Sequence, residues 1–118
     1  MRDFTDDLRE QRRRLAEAGE YLSIPEGRNR IVELEAEMQR PDLWDDADLA
    51  RRVNAEYANV KDALTTFDDL TRRLEDAEVL HELAREVDDE SQEGEIAEAI
   101  ASVRAALDQL ELRSLFTG

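Results

Sequence analysis

The chain of 118 residues carries a net charge of −15 and contains no cysteine. Its length suits one domain, residues 1–118, and the lack of cysteine excludes disulfides and thiolate chemistry. The charge argues against a domain whose main task is to neutralise phosphates, because each phosphate contact needs a lysine or arginine. No apolar run approaches the ~20 residues of a membrane span, and the charged N-terminus lacks the apolar segment of a signal peptide. We therefore expect a cytoplasmic protein.

Apolar residues recur at the spacing of helices along the whole chain, so the sequence predicts an all-α fold. The first helix is predicted over residues 4–20 and the second over residues 25–39. Ser23 and Glu26 have the spacing of a capping box at the start of the second helix. Pro25 suits the same position, because the first helical turn does not use all of its backbone N–H groups.

The third helix is predicted to begin at Asp45 or Asp46, whose carboxylates can accept hydrogen bonds from the free N–H groups of a first turn. No proline or glycine follows until Gly94. One helix of roughly 40 residues would be about 60 Å long. A break near Thr65 and Thr66 is the alternative, because neighbouring β-branched residues weaken helix propensity. The apolar stripe of this helix comprises Leu49, Val53, Tyr57, Val60, Leu64, Phe67, Leu70, Leu74, Ala77, Leu80, Leu83 and Val87.

The acidic segment EVDDESQEGE, residues 86–95, predicts a turn, and a fourth helix is expected over residues 92–113. The apolar residues of the fourth helix have the strict 4-3-4-3 spacing of a coiled-coil seam. They are Ile96, Ile100, Val103, Leu107 and Leu110.

Helix lengths constrain the arrangement, because the third helix is about as long as the second and fourth together. The fourth helix follows a short turn and is expected to fold back on the C-terminal half of the third. The second should lie antiparallel on the N-terminal half, and the first should cover what remains exposed. The expected architecture is an elongated up-down bundle of about four helices, with one very long helix and an antiparallel coiled-coil-like hairpin.

Trp44 is the only tryptophan, and it lies in the segment RPDLWDD between the second and third helices. Pro41 ends the second helix, because a proline disfavours helical geometry at the residue before it. An indole at such a corner can bury a large apolar area. We therefore interpret Pro41, Trp44 and Asp45 as structural residues, with Trp44 as a buried plug at the end of the bundle.

Glu78 and His81 match the Glu-x-x-His half-motif of di-metal helical bundles, but such a site needs two of these motifs and the chain has a single histidine. Acidic pairs occur at residues 45–46, 68–69 and 88–89, without the spacing of a calcium loop. The sequence contains no phosphate-binding glycine loop, nucleophilic serine motif or cysteine–histidine pair. We therefore expect no metal, no cofactor and no catalytic residue, and the chain is not expected to be an enzyme.

The segment REQRRRL, residues 9–15, is the densest basic patch of the chain. Its arginines Arg12, Arg13 and Arg14 project from more than one face of the first helix. One interpretation pairs these arginines with acids one helical turn away. The other interpretation makes them a contact for an anionic partner such as RNA, which the rest of the domain would repel.

The order of the helices and two motifs resemble the N-terminal domain of the bacterial peptide chain release factor 2 family. The resemblance covers essentially the whole chain. The first motif is Pro41-Asp42-x-Trp44-Asp45 at the helix corner, and the second is Leu110-Glu111-x-Arg113-x-x-Phe116-x-Gly118.

The resemblance implies a multidomain factor that reads stop codons through a Ser-Pro-Phe element and promotes peptidyl-tRNA hydrolysis through a Gly-Gly-Gln loop. Neither element occurs in these 118 residues, so we interpret the chain as a fragment without the codon-reading and hydrolysis-loop domains. In the family, this domain lies toward the base of the ribosomal stalk and takes part in communication with the release-factor GTPase. The implied partners are thus the ribosome and that GTPase, with no membrane and no small-molecule ligand.

A stand-alone coiled-coil adaptor or dimerisation module is the alternative, and the seam from Ile96 to Leu110 supports it. The third helix, however, carries apolar residues on a face wider than a coiled-coil seam, which suits packing within one chain. The charge of −15 also opposes close association of like subunits. We therefore expect an elongated monomer.

Overall fold

A computed structural model of the chain describes residues 1–117. The helices in this range are α1 (Thr5–Tyr21), α2 (Ile24–Met38), α3 (Ala47–Glu86) and α4 (Glu93–Thr117). The described residues contain no strand, so the predicted all-α fold is confirmed. None of the described helices has the length and apolar character needed to cross a membrane.

The helix α3 is continuous over 40 residues and sets the length of the molecule, whose extents are 63 × 28 × 19 Å. This length agrees with the expected ~60 Å, and the helix has no break at Thr65 or Thr66. Its first turn is capped by Asp46, whose Oδ1 accepts a hydrogen bond from the Leu49 N–H at 3.1 Å. Of the two acids considered for this role, Asp46 is therefore the cap, and Asp45 ends the preceding turn.

The long helix is covered by different partners along its two halves. The helix α2 lies on the N-terminal half, whereas α1 and α4 pack on the C-terminal half and on each other. The expected bundle is thus confirmed, and the first helix shares the C-terminal half with the fourth. The large core of α1, α3 and α4 includes Phe4, Leu70, Leu74, Ile96 and Leu107. The small core beside α2 consists of Leu34, Leu43, Ala50 and Val53.

The apolar seam of α4 is buried inside the molecule. Its residues are at most 5% exposed, because they pack in the large core with α1 and the C-terminal half of α3. The seam therefore finds its partners within the same chain, and a dimer through the seam would require the large core to open. These seam residues are Ile96, Ile100, Val103, Leu107 and Leu110.

The apolar stripe predicted for α3 leaves the core near the C-terminal end of the helix. Leu83 is 56% exposed and Val87 is 74% exposed. The buried positions in this region belong to Ala77, His81 and Ala84, which are spaced by four and three residues and share one face. The prediction for Leu83 and Val87 is therefore wrong, because α1 and α4 contact a neighbouring face of α3.

The capping box predicted at Ser23 does not form. Only Leu22 and Ser23 separate α1 from α2, and Ser23 has a left-handed backbone with φ 53°. Its side chain makes no capping hydrogen bond, and its carbonyl accepts the Gly27 N–H at 2.9 Å. The two-residue junction is instead held by backbone hydrogen bonds, from the Leu22 N–H to the Ala18 carbonyl at 2.9 Å and from the Ser23 N–H to the Glu20 carbonyl at 3.0 Å. Pro25 does lie in the first turn of α2, as expected.

Candidate functional site

The corner between α2 and α3 does not bury its tryptophan. This corner is a short 3₁₀ helix, Pro41–Asp45. Trp44 is 56% exposed, whereas Leu43 is 6% exposed. The prediction that Trp44 plugs the end of the bundle is therefore wrong, and Leu43 fills that position.

The backbone of the corner explains which of the two neighbouring side chains enters the core. Pro41 starts the 3₁₀ helix directly after Arg40, whose backbone is extended. The Leu43 N–H donates to the Arg40 carbonyl at 3.2 Å, and the Asp46 N–H donates to the Leu43 carbonyl at 3.2 Å. In this tight turn the side chain of Leu43 joins the small core. The indole of the next residue consequently lies on the outer side of the corner.

Arg12 and Arg14 connect α1 to the other helices of the large core. The Nε of Arg12 donates to Glu78 Oε2 of α3 at 3.3 Å, and hydrogen bonding to Glu78 raises the pKa of the Arg12 guanidinium. The Nη2 of Arg14 donates to Asp108 Oδ1 of α4 at 2.7 Å. Its Nε donates to Glu111 Oε1 at 3.1 Å. Both arginines thus hold α1 in place by contacts between helices.

Arg14 is the most enclosed of the three arginines, with a side chain that is 12% exposed. Burial alone would lower its pKa, but Asp108 and Glu111 outweigh this effect and the pKa of Arg14 is raised. The guanidinium therefore stays charged while most of its surface is covered.

Arg13 differs from its neighbours because its partners lie on its own helix. Its Nε donates to Glu10 Oε2 at 3.0 Å, and the guanidinium also binds Glu17. The hydrogen bonds from Arg13 lower the pKa of the Glu10 carboxyl below its usual value. The Arg13 side chain remains 56% exposed. Of the three arginines, Arg13 is consequently the one that a partner can reach without disturbing the bundle.

His81 belongs to the large core, where it binds the N-terminal segment of the chain. Its Nε2 accepts a hydrogen bond from the Phe4 N–H at 3.0 Å, and the two rings meet edge to face with centroids 5.7 Å apart. Glu78, the other residue of the half-motif, binds Arg12. Within residues 1–117 no cluster of three or more side chains is arranged to hold a metal ion. Sequence reasoning missed this role of His81, although its spacing from Ala77 and Ala84 places it on an apolar face.

The acidic pairs each include a carboxylate that holds local structure together. Asp68 of α3 accepts a hydrogen bond from Arg28 of α2 at 2.7 Å, and this hydrogen bond lowers the pKa of Asp68. Asp89 accepts the N–H of Ser91 at 3.1 Å in the turn before α4. Hydrogen bonds from Ser91 lower the pKa of Asp89 as well. One acid of each pair thus has a structural role: Asp46 caps α3, Asp68 joins α2 to α3, and Asp89 holds the turn before α4.

The motif at the end of α4 divides between the core and the surface. Leu110 is 5% exposed, and Glu111 binds Arg14. Phe116 lies in the last turns of the helix and is 83% exposed. Gly118, the final residue of the motif, lies outside the described residues.

The chain is similar in sequence to known proteins. The profile of the PCRF domain family matches residues 27–118, which include most of α2, the corner, α3 and α4. Peptide chain release factor 2 of Nocardia farcinica is 41% identical to the chain over 120 residues, and that of Saccharopolyspora erythraea is 35% identical over 116 residues. Each of these alignments covers 98% of this chain and 32% of the relative.

A third relative gives a similar result. Peptide chain release factor 2 of Yersinia pseudotuberculosis is 35% identical over 98 residues, which is 83% of this chain and 27% of the relative. The chain thus spans about a third of the length of the curated relatives it matches. It belongs to the PCRF domain family, in the form that this domain takes in peptide chain release factor 2.

Proposed function

We propose that residues 1–118 act as one helical domain of a longer translation termination factor, and that the domain contributes ribosome binding without catalysis. The observation that carries this proposal is the similarity to release factor 2 over 98% of the chain. Because the chain covers 32% of that relative, we assign stop-codon reading and peptide release to the rest of the factor.

The use of polar side chains supports a role without catalysis. Arg14, Asp68 and His81 are the kinds of residue that could carry chemistry, yet each is engaged in a contact between parts of the chain. A general acid or base must be able to reach a substrate proton. Groups that hold helices together are poorly placed for that task, so we assign no catalytic residue and no cofactor to the domain.

The proposed partners are the ribosome, at the base of its stalk, and the release-factor GTPase, as the family resemblance implies. The proposed location is the cytoplasm, where bacterial translation takes place. We propose a monomer, because α3 has partner helices along both halves within the chain and the charge of −15 opposes self-association. Sedimentation equilibrium should therefore give a mass near 13.6 kDa.

We assign partner contacts to Arg13 and Trp44. Arg13 is the most exposed of Arg12, Arg13 and Arg14, and it can pair with an anionic group of the partner. Trp44 presents more than half of its surface on a turn that is fixed by hydrogen bonds, and exposed tryptophans often dominate binding energy. Arg12 and Arg14 fix α1, which carries Arg13, so their replacement would alter the bundle as well as any contact.

The proposal is tested by a chimera in which residues 1–118 replace the matching region of release factor 2 from Nocardia farcinica. Its affinity for ribosomes stalled at a stop codon is measured over a series of salt concentrations. Arg13→Glu should weaken binding, and added salt should reduce the difference from the unmodified chimera. Trp44→Ala should weaken binding by about tenfold, which is typical of an aromatic contact.

Two matched variants control for effects of charge and surface area. Arg72→Glu changes an exposed arginine that also pairs within its own helix, and Val32→Ala shortens an exposed apolar side chain on α2. Both should bind as the unmodified chimera does. Unchanged binding of the Arg13 and Trp44 variants would overturn the assigned contacts, whereas a folded chimera without ribosome affinity would overturn the proposed function itself.

A further inference from the structure

The C-terminal half of α3 presents a line of apolar side chains to solvent. Val79, Leu83 and Val87 are 54%, 56% and 74% exposed. Because they are spaced by four residues, they lie along one face of α3, where Val87 is the residue that caps the C-terminal end, and we call them the outer stripe. Single exposed apolar residues are ordinary, but a continuous row of them is a feature of interaction surfaces.

A groove between α3 and α4 adjoins the outer stripe. Three apolar residues help to line it, Ala77 and Leu80 from α3 and Ala99 from α4. Its one cationic lining residue is Arg73, whose charge is already paired with Asp69 of the same helix at 3.5 Å. Leu80 follows Val79 directly and precedes Leu83 by three residues, so the groove and the outer stripe are neighbours on the helix surface. Together they form an apolar surface that is longer than the groove alone.

Unpaired carboxylates surround this apolar surface. Each of them is exposed, and for none of them does the described part of the chain provide an arginine or lysine within ion-pair distance. The acids Glu10 and Glu17 of α1, in contrast, both pair with Arg13. The unpaired carboxylates are Glu75, Asp76, Glu82, Glu86 and Glu95.

We propose that the outer stripe and the adjoining groove bind a basic amphipathic helix of another protein. Apolar side chains of such a helix can fill the groove and cover Leu83 and Val87, as in other helix-in-groove complexes. Its lysines or arginines can pair with the surrounding carboxylates, none of which forms an ion pair among the described residues. This inference concerns the surface itself and does not depend on the proposed role at the ribosome.

Charge selects this occupant over the others that an apolar surface can bind. Nucleic acids and membranes of anionic lipids carry negative charge, and the five carboxylates would repel them. A second copy of the chain would bring the same carboxylates against their counterparts, because a twofold interface uses the same patch on both subunits. A basic helix is the partner for which both the apolar and the charged parts of the surface are favourable.

The test uses the ¹⁵N-labelled chain and a helical peptide of leucine and lysine, about 18 residues long so that the helix is stable. A second peptide has the same composition in an order that destroys the amphipathic face. We expect the amide shifts caused by the first peptide to concentrate in residues 76–87 and 95–102. We also expect the second peptide to bind about tenfold more weakly, because it cannot bury apolar side chains on one face.

Variants separate this binding mode from nonspecific attraction to an acidic protein. Leu83→Ser combined with Val87→Ser should lower the affinity about tenfold and leave the circular dichroism unchanged, because both residues are exposed. Glu82→Gln combined with Glu86→Gln should weaken binding and reduce its dependence on salt. The matched control is Val32→Ser combined with Glu35→Gln on α2, where both residues are also exposed, and it should bind as the unmodified chain does.

Four results would contradict the proposal. One is equal affinity for the two peptides, and another is a distribution of amide shifts over the whole acidic surface. The third is an equal loss of affinity in the α2 control and in the Leu83 and Val87 variant. Binding of duplex RNA or anionic vesicles at residues 76–87 would also contradict the choice of a basic helix.

Discussion

The Nε2 of His81 accepts a hydrogen bond from the backbone N–H of Phe4 at 3.0 Å, although the two residues are 77 positions apart. Phe4 is 1% exposed and His81 is 6% exposed. A buried N–H without an acceptor is costly, so this contact fixes the start of α1 against α3. The segment before α1 is therefore part of the large core.

The first prediction concerns this contact. His81→Ala should reduce the free energy of unfolding by about 1–3 kcal/mol, because the Phe4 N–H would lose its acceptor in a buried place. His81→Gln should lose less stability, since the glutamine amide oxygen can accept the hydrogen bond from the Phe4 N–H near the position of Nε2. Urea unfolding followed by circular dichroism measures both values. Glu82→Ala, an exposed neighbour, is the control and should change the stability by less than about 0.5 kcal/mol. An equally small effect of His81→Ala would contradict the structural role of His81.

The second prediction compares the two neighbours at the corner. Leu43→Ala should destabilise the chain by about 2–5 kcal/mol, as is usual for a buried leucine. Trp44→Ala should cost less than about 0.5 kcal/mol, which is typical of exposed positions. Acrylamide should quench the fluorescence of Trp44 readily in the folded chain. A blue-shifted emission that resists acrylamide would mean that the indole is buried after all.

The third prediction compares Arg14 with Arg13. Arg14→Met should lower the stability by about 1–2 kcal/mol, because it leaves Asp108 and Glu111 without their shared partner. Arg13→Met should cost less than about 0.5 kcal/mol, since exposed ion pairs within a helix contribute little. Urea unfolding at low and moderate salt gives both values. Equal losses of stability for the two variants would show that the contacts of Arg14 between helices do not stabilise the fold.

The fourth prediction follows from carboxylates that join α2 to α3. Hydrogen bonds from Arg30 and Arg28 lower the pKa values of Glu56 and Asp68, respectively. A carboxyl whose pKa is lower in the folded state stabilises the fold above its unfolded pKa, which is about 4. That stabilisation disappears as the pH falls through the folded pKa. The urea midpoint should therefore decrease below about pH 4.

The matched variant for this pH effect is Arg28→Gln combined with Arg30→Gln. It should be less stable than the unmodified chain at pH 7 and should lose less stability on acidification, because the two carboxyls no longer have lowered pKa values. Parallel pH profiles for the two proteins would mean that other carboxyls control the acid sensitivity.

The helices were predictable from the sequence because their signals are local. Apolar periodicity, the proline at position 41 and the acidic turn before α4 define the elements, and the absence of proline or glycine predicts one continuous α3. The placement of α2 and α4 on the two halves of α3 followed from helix lengths and the short turn before α4, whereas the position of α1 did not. The exposure of Leu83 and Val87 could not be predicted from the sequence, because it depends on which face of α3 the helices α1 and α4 contact.

The details of the candidate site were less predictable because they depend on side-chain direction and distant partners. In a 3₁₀ turn, a shift of one residue decides whether Leu43 or Trp44 enters the core. The partner of Arg14 on α4, Glu111, is 97 residues away, so no spacing rule along one helix could identify it. The partner contacts assigned to Arg13 and Trp44 stay predictions that binding measurements must test.

The most direct test of the central claim measures peptide release by the chimera with release factor 2 of Nocardia farcinica. Ribosomes stalled at a stop codon are mixed with the chimera, with the same factor lacking its matching region, or with the chain 1–118 alone. We predict that the chimera releases peptide at a rate near that of the intact relative and faster than the truncated factor. The chain alone should release none. A folded chimera that is no faster than the truncated factor, or release by the chain alone, would contradict the account of this chain as a ribosome-binding domain without catalysis.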